Sequence, residues 1–469
     1  MTNGVSANRP TILAIILVSY VMIVLDISIV ITGLPKIHAE LGFSDTGLSW
    51  VSSAYTLTFG GFLLLGARAG DILGRRRMFI VGLGIFAISS VLIGIAQSPE
   101  WLIAARAVQG VGSAILAPST LALLQTNFPS GPERTRAISY YASAAGISAS
   151  IGLVLGGVLA EWLSWRVGFF INLPIAVALI LTARKTIVET EPRPGSFDVA
   201  GAILSTAGMT ALVFGFVQAA ETGWSNQMTD MALVAGVVLL IAFVFVEWRA
   251  KQPIMPLRLF ASRERSGAYL ARMLFLGANV GFFFFATQFM QSVGHYSAAV
   301  TGLAFFPAMV VNFASALLAP RLIRKIGQGP VLAGSIILGL IGVGWLTHLT
   351  PSATYLGGLA FPMLLIGIGQ GGALGPLTTS GMSDVSLDDA GAASGLVNVA
   401  HQLGSSLGLA VLVAASSFDT DAFDSTALLT HRVTNAMTAG AAMLATALLV
   451  VFLLIIRSPR TKKSTCEAA

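Results

Sequence analysis

The chain has 469 residues, 55% of them hydrophobic and 10% charged, with a mean hydropathy of +0.82. Soluble globules carry about 25% charged residues, so this chain lacks the polar surface for a large soluble catalytic domain. Its formal charge of +6 would suit nucleic acid in a soluble protein. Here it points to basic loops beside anionic lipid and to no nucleic-acid partner.

A hydrocarbon core about 30 Å thick takes about 20 apolar residues per helix, and such stretches recur along the whole chain. Six run near 11–34, 48–68, 78–97, 101–125, 136–160 and 165–183. Two follow near 199–219 and 229–248, and six more near 267–292, 299–320, 329–349, 352–378, 390–416 and 433–456. The first is too long for a cleaved signal peptide and holds Asp26 within it. About 22 of the 27 lysines and arginines fall on one side of this arrangement, against 3 on the other and 2 inside spans (Arg106 and Arg272). The positive-inside rule then places both termini in the cytoplasm, with Lys462 inside and the loop near Asp421 outside. The one cysteine, Cys466, lies in the tail, so a disulfide framework and a cysteine metal site are excluded.

The two ends of the chain echo each other. LLGARAGDILGRRR from Leu64 resembles LLAPRLIRKIG from Leu317, Ala114–Thr120 resembles Gly372–Thr378, and Gly152–Gly156 resembles Gly404–Gly408. A parallel repeat of six spans plus six accounts for these pairs. The expected organisation is an N-terminal six-span bundle over 1–184, two inserted spans with their linkers over 185–265, and a C-terminal six-span bundle with its tail over 266–469.

Few residues in these spans carry chemistry. An ionised carboxylate near the bilayer middle is costly, so Asp26 is expected either to face a polar cavity with a role or to pin helix packing. Arg106 enters its span from the same side, and the two depths differ by less than an arginine side chain reaches. A guanidinium stays charged, so a pair with Asp26 is expected, the alternative being that Arg106 snorkels outward alone. Between the second and third spans Asp71, Gly74, Arg75 and Arg76 read as a charged latch that opens when helices move. A positive-inside loop alone explains the arginines but neither the acid nor the glycine. Gly110, Gly152, Gly156 and Gly157 read as packing or hinge glycines. Gln109, Gln291, Asn312, Asn398 and His401 are candidates for a substrate cavity, though some polar positions of this kind serve as interhelical hydrogen bonds. Arg272 is expected to snorkel inward, and Phe282–Phe285 to face lipid or core, the alternative being contact with a hydrophobic substrate. No G-x-x-x-x-G-K-[ST], H-E-x-x-H or G-x-S-x-G motif occurs, so no ATPase, metal site, cofactor or hydrolase chemistry is expected.

Together these residues resemble the major facilitator superfamily, and its fourteen-span drug/proton antiporter branch in particular. Leu25-Asp26-Ile27-Ser28-Ile29-Val30-Ile31-Thr32-Gly33-Leu34-Pro35 resembles the branch's first-span signature, with Ser28 and Ile31 replacing its Thr and Asn. Asp71, Gly74, Arg75 and Arg76 match the superfamily loop motif, and Leu102, Arg106, Gln109, Gly110 and Gly112 its fourth-span motif. Trp165, Arg166, Phe169, Ile171, Asn172 and Pro174 resemble another run of the branch, as do Gln291, Val293, Gly302 and Pro307. In the fifth-span antiporter motif Gly152, Gly156 and Gly157 are kept, whereas Ser148 and Leu153 replace its first glycine and its proline.

The resemblance implies an all-α integral membrane protein with the major-facilitator fold and a proton-coupled exporter of small lipophilic or monocationic compounds. It implies Asp26 as proton carrier and Arg106 as its tuning partner; separately, Asp26 is the only acid well inside an expected span, so one proton per substrate is expected. A narrow-substrate metabolite exporter or importer is the rival reading. The expected partners are the substrate, protons and the bilayer of a cell inner membrane. Nothing in the sequence requires more than a monomer.

Overall fold

The computed structural model describes residues 9–128, 131–191, 197–250, 253–385, 389–418 and 425–456. Arg193, Lys251, Asp421, Lys462 and Cys466 lie outside the described residues.

With no water in a bilayer core, a lipid-facing backbone must satisfy its own hydrogen bonds, and this chain does so by helix. The segments are α1 (Arg9–Leu41), α2 (Gly47–Leu73), α3 (Arg75–Gly94), α4 (Pro99–Asn127), α5 (Pro132–Trp162), α6 (Val167–Thr186), α7 (Val199–Thr222) and α8 (Gln227–Arg249). They continue with α9 (Arg263–Val293), α10 (Ala298–Ile326), α11 (Gln328–Leu346), α12 (Tyr355–Gly381), α13 (Ala390–Ser416) and α14 (Thr426–Ile456). Thirteen are long and apolar enough to cross a membrane. The 31-residue α5, whose side chains are described in part, takes the place of the expected fifth span. Side-chain caps mark several starts: Ser98, Asp198, Asn226, Ser262 and Ser297 each accept from a backbone N–H two or three residues on. The first span does not end near Pro35. It continues to Leu41, because Ile37 is buried and Lys36 Nζ donates to the Ala160 carbonyl at 2.6 Å.

The repeat is visible in the packing. In the first six helices α1 packs on α4, α5 and α6, α4 packs on α2 and α3, and α3 packs on α6. The same pairs recur eight helices later, with α9 on α12, α13 and α14, α12 on α10 and α11, and α11 on α14. The halves meet along two equivalent seams, α5 with α10 and α2 with α13. α7 lies against α2 and α13, covering that second seam, and α8 rests on α7. The inserted pair thus breaks the symmetry that the repeat otherwise keeps.

Arg9, Arg75, Lys185, Arg249, Arg263 and Lys325 stand at one end of the helices, the basic end. Among the described residues, polar links between the halves gather at the opposite end. There Gln291 Nε2 donates to the Thr32 carbonyl at 3.0 Å, Ala299 N to Glu161 Oε2 at 2.8 Å, and Arg432 pairs with Asp45. Gly157 lies directly against the Ala298 carbonyl, where a side chain would overlap backbone. The far end is closed.

Candidate functional site

Five helices of the first half bring polar side chains to one point. Asp26 on α1 and Arg106 on α4 form an ion pair at 2.7 Å, and both are almost wholly buried. Arg106 Nη1 also donates to Gln109 Oε1 at 2.6 Å, and its Nε donates to the Val51 carbonyl of α2 at 2.9 Å. Gln109 Nε2 donates to Asp26 Oδ1 at 2.9 Å and to Ser90 Oγ of α3 at 2.9 Å. Asn172, at the first turn after the break between Phe170 and Asn172 in α6, donates to Asp26 Oδ1 at 2.9 Å and to Ser90 Oγ at 3.3 Å. The Tyr55 ring lies under the guanidinium at 4.3 Å, and its hydroxyl donates to Ser113 Oγ at 2.8 Å.

The arrangement has a direct chemical reading. Arg106, Gln109 and Asn172 all donate to the Asp26 carboxyl, and no described acceptor faces it. Such a donor set suits an ionised carboxylate. Burying the pair costs desolvation that the short contacts and the ring beneath the guanidinium offset. Gln109, expected in a substrate cavity, belongs instead to this closed network and is fully buried. Sequence reasoning gave no role to Asn172, Ser90 or Tyr55. Only Asn172 carried a signal, as the amide of the run Phe169–Pro174.

At the basic end Asp71 of α2 and Arg75 of α3 pair at 3.1 Å across the turn, while Arg75 Nη1 donates to the Ala122 carbonyl of α4 at 3.2 Å. Gly74 joins α2 to α3 at φ 100°, a conformation open to glycine. Glu189, in the linker after α6, accepts from the Arg76 and Arg77 amides at 3.0 and 2.9 Å and so caps α3, and the Arg76 guanidinium stands 3.6 Å away. Thr190 accepts from the Arg75 amide at 3.0 Å. Neither residue was singled out in the sequence, where nothing marks a linker acid as the cap of a distant helix.

The glycines split by face. Gly110 meets the Tyr55 carbonyl and Thr58 of α2, Gly152 and Gly156 meet Ser28 and Ile29 of α1, and Gly157 meets α10 across the seam. In the second half Gln291 is a link between the halves, and Asn312 Nδ2 donates to Gln370 Oε1 at 2.9 Å. Asn398 is exposed and donates to the Ser394 carbonyl at 3.1 Å. His401 meets Arg272, which is buried and does not snorkel: its place on α9 faces α12 and α13 rather than the basic surface. Phe282–Phe285 are all buried in the core of the second half.

The fold and site define a class, and comparison with known proteins agrees. The family model for the Major Facilitator Superfamily matches residues 16–409, and the chain belongs to that family of multi-pass membrane transporters. It is 40% identical to the cephamycin export protein CmcT of Amycolatopsis lactamdurans over 88% of this chain and 86% of that one. It is 38% identical to the puromycin resistance protein pur8 of Streptomyces alboniger, over 88% and 82%. The tetracenomycin C resistance and export protein of Streptomyces glaucescens is 32% identical, over 86% of this chain and 75% of its own length. Among solved structures, a bacterial homolog of the lysosomal transporter Spinster in an inward-facing, unoccupied conformation superposes with a TM-score of 0.68. It is 16% identical, with 97% of each chain covered, which speaks for the fold alone.

Proposed function

We propose that the protein is a proton-coupled exporter of small lipophilic compounds in a cell inner membrane, working by alternating access between its two halves. Asp26 is the proton carrier. The observation that carries the reading is a carboxylate buried among membrane helices and held by donors from two other helices, Arg106 and Gln109 of α4 and Asn172 of α6. Relatives that export or resist antibiotics support the direction of transport.

In this reading the basic end faces the cytoplasm, both termini included, and the closed far end makes this conformation inward-open. Substrate enters from the basic side while Asp26 is ionised and held by Arg106. Rearrangement of the halves opens the far end and draws Arg106 away, leaving a carboxylate without its countercharge, which takes a proton from outside. Return to the inward-open form restores the pair and releases that proton to the cytoplasm. Asp71, Gly74, Arg75 and Arg76, anchored by Glu189, form the charged latch at the α2–α3 turn, which opens as the helices move.

Proteoliposomes with an imposed pH gradient test this. Substrate movement should follow the gradient in the wild type and be lost in Asp26→Asn. Gradient-driven movement at the wild-type rate in that variant would refute the carrier assignment.

A further inference from the structure

The second half holds a buried charge that the proton site does not use. Arg272 on α9 is 7% exposed. Its Nη1 donates to Thr378 Oγ1 of α12 at 2.9 Å, and its Nη2 lies 3.2 Å from His401 Nδ1 of α13. A guanidinium only donates, so His401 Nδ1 accepts and its proton sits on Nε2. Arg272 Nε is buried with no partner, and no described carboxylate pairs with the guanidinium. A buried cation bonded only to neutral groups is costly unless an anion joins it.

The packing shows where that anion would sit. α12 and α13 both lie on α9 but barely touch each other, and the other flank of α13 is pressed on α2, with Gln402 beside Gly60. Arg272 therefore lies where these two helices part, beside the exposed Thr378, on the side that turns toward the first half. The repeat supplies its counterpart. Thr120 on α4 is the equivalent of Thr378, and its hydroxyl lies 3.1 Å from that of Tyr141 on α5. Tyr141 in turn stacks on Tyr20 of α1 with ring centroids 3.9 Å apart. One half presents stacked rings where the other presents a cation.

We propose that Arg272, with Thr378 and His401, is a subsite for the carboxylate or equivalent oxyanion of a lipophilic monoanion, whose apolar body meets the Tyr20–Tyr141 wall. The proposal rests on the exporter reading only for the statement that the bound anion is cargo. Exchange of one proton inward for one anion outward moves two positive charges inward, so an inside-negative potential drives it.

The test uses the purified full chain and two fluorescent probes that differ at one group, dansyl-phenylalanine and its methyl ester. The wild type should bind the acid about tenfold more tightly than the ester, the margin expected of one buried charge pair. Arg272→Gln should erase that preference while keeping ester binding, which also shows the variant is folded, and Arg272→Lys should keep part of it. Equal binding of acid and ester, no acid binding, or an unchanged preference in Arg272→Gln would overturn the proposal. If the acid binds through Arg272 but neither probe moves in proteoliposomes under a proton gradient, the subsite stands and the exporter reading fails.

Discussion

Asp26 accepts three hydrogen bonds and its charge is balanced by one residue, Arg106. Removing one member of a buried pair strands the other, at a cost of about 3–5 kcal/mol. Arg106→Gln should therefore unfold far below the wild-type temperature in detergent, and Asp26→Asn in the same background should recover most of the loss. Equal unfolding temperatures for the single and double variants would show that the pair carries no mutual stabilisation. The pair was legible in the sequence because a charge stands out in an apolar span, and the two depths agreed. Its neighbours were not: Ser90 and Asn172 are small polar residues of a kind that membrane helices also use for generic packing. Arg272 was misplaced for a related reason. Its position near a helix start suggested the surface, and only the packing of α12 and α13 on α9 shows that its face turns inward.

At the scale of elements, the α2–α3 turn joins two features that depend on each other. Gly74 adopts a positive φ, and a Cβ there would stand 2.7 Å from the Glu189 carboxylate that caps α3. Gly74→Ala should lose about 1–2 kcal/mol from backbone strain, and displacing Glu189 adds to that. Glu189→Gln should keep the fold and weaken the cap, measured as faster hydrogen exchange of the Arg76 and Arg77 amides. Unchanged exchange would mean that the linker acid does not hold the turn. The helix order itself was readable from apolar runs and basic turns. The exit of α1 was not, since Pro35 resembles a stop. Buried Ile37 and the Lys36 bond to α5 keep the helix going, and both depend on a neighbour far away in sequence.

The molecule as a whole is two copies of one six-helix pattern, joined along two seams of which α7 covers one. Alternating access requires the far end to open, so fastening it should stop transport. With Cys466 replaced by Ser, Glu161→Cys and Ala299→Cys joined by a short reducible cross-linker should abolish transport, and reduction should restore it. Transport at full rate while cross-linked would rule out opening at that seam. The central claim is that one carboxylate carries one proton, and counting protons tests it most directly. A panel of lipophilic esters, amines and acids is screened for binding, and the tightest ligand is loaded into proteoliposomes in weak buffer, where its movement and the opposite movement of protons are counted together. The account predicts one proton exchanged per molecule moved by the wild type and no coupled proton movement by Asp26→Asn. Exchange of two protons per molecule, or the same exchange by the variant, would contradict it.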